Sequence, residues 1–274
     1  MTQPNSPEEK STTIAGNLYD YPSYYDVIFG ADWRREIELL KFCFEQHTEL
    51  EVKQLFEPAC GTGRLLIQLA KLDFEVTGLD LNPRAVKYCN QRFKRAGRTE
   101  AAVCGDMTDF SLSDLTLQKP MQAAFNPINS IRHLLSEDQM QSHWQCMAEV
   151  IELGGLYIVG LHLSPEVGTP CDAESWTASR GQLTVCSHLQ TTDLDLTERI
   201  ERVAMSYDVT TPGQKLRIDG ELIFRTYSLE QFTQSFENSA NWKLCAVYDF
   251  TYDTSQQISL TEASEDVIFV LQRT

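Results

Sequence analysis

Apolar and polar positions follow two regimes along the 274 residues, and the change between them divides the chain. Trp33, Ile37, Leu40 and Phe44 recur at helical spacing and predict a helix over 33–47. An apolar stretch at 55–56 enters as a strand, 65–71 leaves as a helix, and 74–80 is a second strand. Asn82-Pro83 marks a helix start with proline just inside it, so 84–94 is helical. Two more apolar runs, 101–104 and 121–125, read as strands. Ser136-Glu137-Asp138-Gln139 predicts a capping box for a helix with Met140, Trp144, Met147 and Ile151 on one face, ended by Gly154-Gly155. A fifth strand occupies 156–163. Strands alternating with helices at this spacing predict an α/β fold with a parallel sheet.

The second regime runs from about Ser175 to Tyr227, where apolar and polar residues alternate, as in 198–209 and 216–225, around the turn Thr211-Pro212-Gly213. Three or four antiparallel strands are expected there, inserted into the sheet-and-helix core. Ser228-Leu229-Glu230-Gln231 is a second capping box, ahead of a helix carrying Phe232 and Phe236. Strands over 242–250 and 266–272 close the chain. The domain reading is a disordered lead-in at 1–18, a core at 19–164 and 228–274, and an antiparallel β insertion at 165–227.

A net charge of -16 argues against nucleic acid, which needs clustered Lys and Arg, and leaves room for a cationic ligand. Residues 1–11 lack the apolar core of a secretory signal, and no apolar run approaches the ~18 residues of a membrane span. Eight scattered cysteines without Cys-x-x-Cys spacing argue against a metal site or a disulfide framework. They read as reduced, mostly buried thiols of a cytoplasmic protein.

The chemistry concentrates at Leu55-Phe56-Glu57-Pro58-Ala59-Cys60-Gly61-Thr62-Gly63-Arg64. A strand, a glycine-containing turn and a helix start bring backbone close to a ligand. Asp80 ends the second strand nineteen residues after Gly61, where a carboxylate can hold ribose hydroxyls. Tyr19, Tyr21, Tyr24 and Tyr25 form an aromatic cluster before the first helix, either packing it or forming a lid over a site.

These residues resemble the class I S-adenosylmethionine (SAM)-dependent methyltransferases, in particular the bacterial small-molecule type with an antiparallel insertion after the fifth strand. Glu57-x-Ala59-Cys60-Gly61-Thr62-Gly63-Arg64 is similar to that family's first motif, and Gly78-Leu79-Asp80-Leu81-Asn82-Pro83 to its second. Cys104-Gly105-Asp106-Met107 with Phe110 resembles the third, and Phe125-Asn126 with His133-Leu134-Leu135 the fourth-strand segment. The resemblance implies a Rossmann-like sheet of seven strands, mostly parallel, with an antiparallel last strand. SAM is the implied cofactor, and the implied reaction moves its methyl group to N or O of a small-molecule acceptor by in-line displacement. It also implies that Gly61 and Gly63 pass beneath the methionine part, that Glu57 supports the loop, that Ala59 and Arg64 bind the cofactor, and that Asp80 accepts from the ribose. Leu81 and Met107 would pack on the adenine, Asp106 would accept from its amino group, and Tyr25 and Asn126 would complete the cofactor site.

A general base matters only where the acceptor loses a proton. His133, after the fourth strand, and His162, ending the fifth, are the candidate bases, and Tyr24 is a candidate to orient the acceptor. The insertion either roofs the acceptor pocket or pairs two subunits in a homodimer. Its Trp176, Arg180, Arg199, Arg202, Arg225 and Tyr227 either bind an anionic acceptor or form a solvated face. Two alternatives compete: a non-catalytic SAM-binding protein, and an NAD-dependent oxidoreductase. The second lacks the third fingerprint glycine, since Leu66 stands in its place, and would set Glu57 against a pyrophosphate.

Overall fold

Apolar runs buried on both sides need a sheet covered on both faces, and Met121–Asn126 is buried at all six positions. The computed structural model describes residues 10–30, 33–164 and 173–274. In chain order the first half holds β1 (Lys10–Ala15), α1 (Pro22–Phe29), α2 (Arg34–Gln46), β2 (Gln54–Pro58), α3 (Leu66–Lys71), β3 (Glu75–Asp80), α4 (Pro83–Arg95), β4 (Ala102–Cys104) and β5 (Met121–Asn126). The second holds α5 (Glu137–Val150), β6 (Ile151–His162), β7 (Ala173–Arg180), β8 (Leu183–Asp195), β9 (Ile200–Thr211), β10 (Gln214–Arg225), α6 (Leu229–Glu237), β11 (Trp242–Asp249) and β12 (Asp266–Arg273).

Seven strands form the first sheet, in the order β11-β12-β6-β5-β2-β3-β4. β2 to β6 run parallel, and β12 lies antiparallel to both β6 and β11. The chain steps outward from β2 to β4, then returns to β5 on the other side, so the order reverses between β2 and β5. The C-terminal ends of strands beside such a reversal are where open α/β sheets bind ligands.

Strand alternation divides the core into two layers. Leu55, Ala123, Phe125, Leu156, Ile158, Ile268 and Val270 pack with α2, α3 and α4. Phe56, Ala124, Tyr157, Val159, Val267, Phe269 and Leu271 pack with α5 and α6 around Trp144. Gln122, second in β5, is buried, and its Oε1 accepts from the Lys53 and Gln54 backbone N–H groups at 3.2 and 2.9 Å. Among the described residues no helix is long and apolar enough to cross a membrane.

Four expectations change. The lead-in expected to be disordered through residue 18 is structured from Lys10: β1 pairs in parallel with β10, from Lys10 beside Gln214 to Ala15 beside Asp219. The β-branched run Thr12-Thr13-Ile14 suits a strand, but its partner lies some 200 residues away and only the folded chain brings it close. Ile151 leaves the face of α5 and starts β6 instead, because the β-branched pair Val150-Ile151 passes directly into extended backbone. The capping box at Ser136 is half made: Ser136 accepts from the Gln139 backbone, but Gln139 reaches the N–H of Leu135. The box at Ser228 and Gln231 is complete. Of the described cysteines only Cys43, Cys60 and Cys89 are buried, while Cys104 is exposed and the rest are half-buried; Cys171 lies outside the described residues.

The insertion supplies β7 to β10, which together with β1 make a second, five-stranded sheet. One buried carboxylate ties it to the core. Asp26 on α1 accepts from Arg92 on α4 at 2.6 Å, from Tyr88 at 3.0 Å, and from Arg180 on β7 at 2.8 Å.

Candidate active site

A cavity of about 1180 Å³ lies between the C-terminal ends of the parallel strands and one face of the second sheet. Pockets for single small ligands span about 300–1,000 Å³, so this one has room for a cofactor and an acceptor together.

The cofactor half is built at the tips of β2 to β5. After β2 the chain takes positive φ at Ala59 (53°), Gly61 (54°) and Gly63 (64°), a winding path that turns the loop beneath the cavity. A Cβ on Gly61 would have no protein atom within 4 Å and would project into the cavity that Gly61 lines. Asp80, at the tip of β3, pins this loop: its Oδ2 accepts from the Gly61 N–H at 2.7 Å and its Oδ1 from Asn82 N–H at 2.8 Å. Each oxygen keeps a further lone pair for a ligand hydroxyl. Burial raises the Asp80 carboxyl above its usual range, and the two backbone hydrogen bonds counter part of that rise.

Glu57 and Asn126 stand beside the loop, and both carry buried oxygens with no protein partner: Glu57 Oε2 and Asn126 Oδ1. The Asn126 amide donates to the Pro58 carbonyl at 2.8 Å, which fixes its orientation. Burial pushes Glu57 well above the ordinary carboxylate range, while the Arg64 charge pulls the other way. Arg64 itself is gripped by both oxygens of Glu36, at 2.6 and 2.5 Å. Burial works against its charge, and the Glu36 carboxylate more than offsets it. Asp106, after β4, accepts at Oδ1 from the Thr108 backbone and hydroxyl, both at 2.8 Å, and lines the cavity with Met107. Leu81 is an apolar side chain left 70 % exposed at the same edge, open for a flat ring. A carboxylate at a strand tip, unsatisfied buried oxygens, a cradle free of Cβ and an exposed leucine fit a nucleoside carrying an amino-acid tail.

The other half of the cavity centres on a pair of side chains. The Tyr19 hydroxyl lies 2.9 Å from His133 Nε2, and both residues line the cavity. Burial, followed by the Arg132 charge, lowers the His133 pKa to about 4, so the ring is neutral at neutral pH. Arg132 is drawn the other way, to Glu201 on β9 at 2.6 Å and to the Arg225 carbonyl at 3.0 Å, which ties the turn after β5 to the second sheet.

Residues 56–155 match the family model described as a methyltransferase domain. Those residues form a methyltransferase domain of the SAM-dependent kind. The chain is 28 % identical, over 182 residues, to the dTDP-3-amino-3,6-dideoxy-alpha-D-glucopyranose N,N-dimethyltransferase of Streptomyces fradiae, covering 64 % of this chain and 68 % of that protein. Among solved structures, a SAM-dependent methyltransferase from Clostridium acetobutylicum superposes with a TM-score of 0.72 at 16 % identity, over 93 % of this chain and 99 % of that one. SAM-bound CalS10, an amino pentose methyltransferase from Micromonospora echinaspora, superposes with 0.68 at 18 % identity, over 94 % and 99 %.

Within the methyltransferase, Tyr25, Glu57, Ala59, Gly61, Arg64, Asp80, Leu81, Asp106, Met107 and Asn126 all reach the cavity, as do His133 and His162. Two expected residues do not. Gly63 is turned toward α4, where a Cβ would sit 2.3 Å from Cys89 Sγ; its missing side chain serves packing. Tyr24 stacks on Tyr21, with ring centroids 5.9 Å apart, against the second sheet. Successive helix positions point about 100° apart, so α1 turns Tyr25 to the cavity and Tyr24 away from it. His162 sits at the rim, its Nδ1 paired with Asp266. The start of α3, which the glycine turn suggested as a ligand contact, does not line the cavity; the loop over Ala59, Cys60, Gly61 and Thr62 does. Phe29 and Phe224 are cavity residues that the sequence pattern did not single out, and Tyr19 was marked only as one member of the tyrosine cluster. For Tyr19 the signal was the tyrosine cluster itself, and which ring faced inward was fixed by folding.

Proposed function

We propose that this methyltransferase transfers a methyl group to a nitrogen of a small-molecule acceptor, with the core over 19–164 and 228–274 holding SAM and the insertion over 165–227 covering the acceptor. The observation that carries this reading is one continuous cavity with Asp80 and Gly61 at one side and the Tyr19–His133 pair at the other. Nitrogen is favoured because the relative from Streptomyces fradiae is named as an N,N-dimethyltransferase and CalS10 as an amino pentose methyltransferase.

SAM, when bound, supplies a methyl group already activated by a sulfonium, so the protein's task is alignment and exclusion of water. Asp80 accepts from the ribose hydroxyls and Asp106 from the adenine amino group, while Leu81 and Met107 pack on the ring. Glu57 and Asn126 offer their unpaired oxygens to the amino-acid tail. An amine attacks through its lone pair and therefore gives up a proton first. With a pKa of about 4, His133 is a weak proton acceptor, and its Nε2 takes the Tyr19 hydroxyl hydrogen. Its role is to hold the Tyr19 oxygen as acceptor for the amine N–H, while the proton departs to water.

Calorimetric titration with SAM, and with NADH as a control, tests the reading. Micromolar SAM binding without NADH binding is expected, followed by a gain of one or more methyl masses on an amine acceptor. Binding of NADH in place of SAM overturns it.

A further inference from the structure

Six aromatic rings stand in succession along the cavity wall. Trp176 meets Phe29 with centroids 5.8 Å apart, Phe29 meets Tyr25 at 4.7 Å, and Tyr25 meets Tyr19 at 6.1 Å. Tyr19 meets His133 at 5.5 Å, and His133 meets Phe224 at 4.8 Å. All six line the cavity, and they come from the segment around α1, the turn after β5, β7 and β10. The arc joins the cofactor end, where Tyr25 lies within the fields of Arg64, Asp80 and Glu57, to the face of the second sheet.

Carboxylates outnumber cationic groups on this wall. The described residues lining the cavity include eight carboxylates against three arginines, with no lysine. Each arginine is already paired: Arg64 with Glu36, Arg84 with Asp20 at 3.6 Å, and Arg132 with Glu201. The arginines of the insertion are committed away from the cavity, Arg180 to Asp26, Arg199 and Arg225 to Glu137, Arg202 to Glu221, and Arg217 to Asp208 and Asp219. A nucleotide-linked sugar brings a diphosphate, which calls for unpaired guanidinium or ammonium donors. An ammonium gains twice here, from the faces of the rings and from the negative field. Glu174 lies two positions before Trp176 on β7, lines the same cavity, and has no arginine or lysine paired with it among the described residues.

We propose that the acceptor is a small cationic amine bearing no nucleotide or phosphate, bound as an ammonium against the Trp176–Phe29–Tyr25 part of the arc beside Glu174. This rests on the methyltransferase reading above and narrows its acceptor. Before each transfer the bound ammonium gives one proton to water and turns its remaining N–H to Tyr19; the freed lone pair takes the methyl as the sulfonium C–S bond breaks, the nitrogen regains its positive charge, and the same rings hold the product for the next transfer.

The test uses the whole protein saturated with S-adenosylhomocysteine, so that the cofactor half is filled by a neutral sulfur. It is titrated calorimetrically with choline, with the neutral carbon isostere dimethylbutanol, and with thymidine diphosphate. Choline is expected to bind about tenfold or more tighter than its isostere, and tighter than the diphosphate. Trp176→Ala and Glu174→Gln should each weaken choline by about threefold to thirtyfold, with Trp176→Phe retaining most of the affinity and S-adenosylhomocysteine binding unchanged in all three. Equal affinity for choline and its isostere overturns the proposal. So does tighter binding of thymidine diphosphate, or turnover of a dTDP-linked amino sugar; these leave the methyltransferase reading standing. Failure of S-adenosylhomocysteine to bind overturns that reading instead, and the amine proposal with it.

Discussion

Two glycines that look equivalent in the sequence do different work. Gly61 leaves open space for a ligand, whereas Gly63 leaves space for Cys89. Gly61→Val should therefore abolish SAM binding in calorimetry while its positive φ costs modest stability. Gly63→Ala should lower the unfolding midpoint first, because its Cβ and the Cys89 sulfur cannot share 2.3 Å. Asp80→Ala removes the ribose acceptor and also the anchor of the Gly61 loop, and hydrogen bonds to charged groups are worth about 1.5–3 kcal/mol each. A fall in SAM affinity of roughly tenfold to a hundredfold is expected, with Asp80→Asn intermediate; wild-type affinity in Asp80→Ala would refute this placement of the cofactor. At the acceptor end, His133→Ala and Tyr19→Phe should slow turnover to a similar extent and leave SAM affinity intact. Because His133 is neutral above about pH 4, it should contribute no acid limb to the rate between pH 5 and 8. An acid limb near pH 6.5 that vanishes in His133→Ala would contradict that assignment.

Elements assemble the site through a few buried contacts. α1 brings Tyr25 and Phe29 to the cavity, and Asp26 locks it against α4 and β7 at once. Removing one partner of a buried ion pair leaves charge uncompensated, at a cost of about 3–5 kcal/mol. Asp26→Ala should lower stability by that order in denaturant unfolding, and should weaken acceptor binding more than SAM binding, because α1 loses its hold on the second sheet. Equal loss for both ligands would mean that α1 serves the cofactor half. The sequence displayed the helices and parallel strands well, because each carries its own periodicity over ten residues or so. It displayed β1 poorly, since a six-residue edge strand takes its meaning from β10.

Across the whole molecule, buried histidines set part of the pH response. His143 is enclosed, its Nδ1 donating to the Met107 carbonyl at 2.8 Å and its Nε2 accepting from Tyr157 at 2.9 Å. Burial lowers its pKa to about 4, against the opposing Met107 hydrogen bond. The unfolded chain then binds the proton more readily, so the contribution of His143 is complete above pH 6.5 and is lost as pH falls toward 4. On the order of 3 kcal/mol is at stake over that window. Glu57 acts oppositely: its raised pKa means that its burial penalty is relieved on acidification. Comparing wild type with His143→Gln separates the two, and the variant should lose less stability between pH 7 and pH 4.5 in thermal unfolding. Parallel curves would show that His143 is not held neutral by the fold.

Most of the proposed cofactor half was legible in the sequence because it is a contiguous strand–turn unit with acids at strand tips, each readable from its neighbours. Asp80, Asp106, Glu57 and Gly61 all stand where those local patterns put them. The sequence by itself likewise determined the alternating strands and helices of the sheet and the antiparallel run of the insertion. The tertiary structure decided the rest: that Tyr25 and not Tyr24 faces inward, that Tyr19 meets His133, that Gly63 serves Cys89, and that β1 joins the second sheet. It also assembled the aromatic arc from residues as far apart as Tyr19 and Phe224. The physical reason is that local backbone preference fixes an element's type, whereas a side chain's surroundings depend on contacts between segments that only the packed core brings within reach.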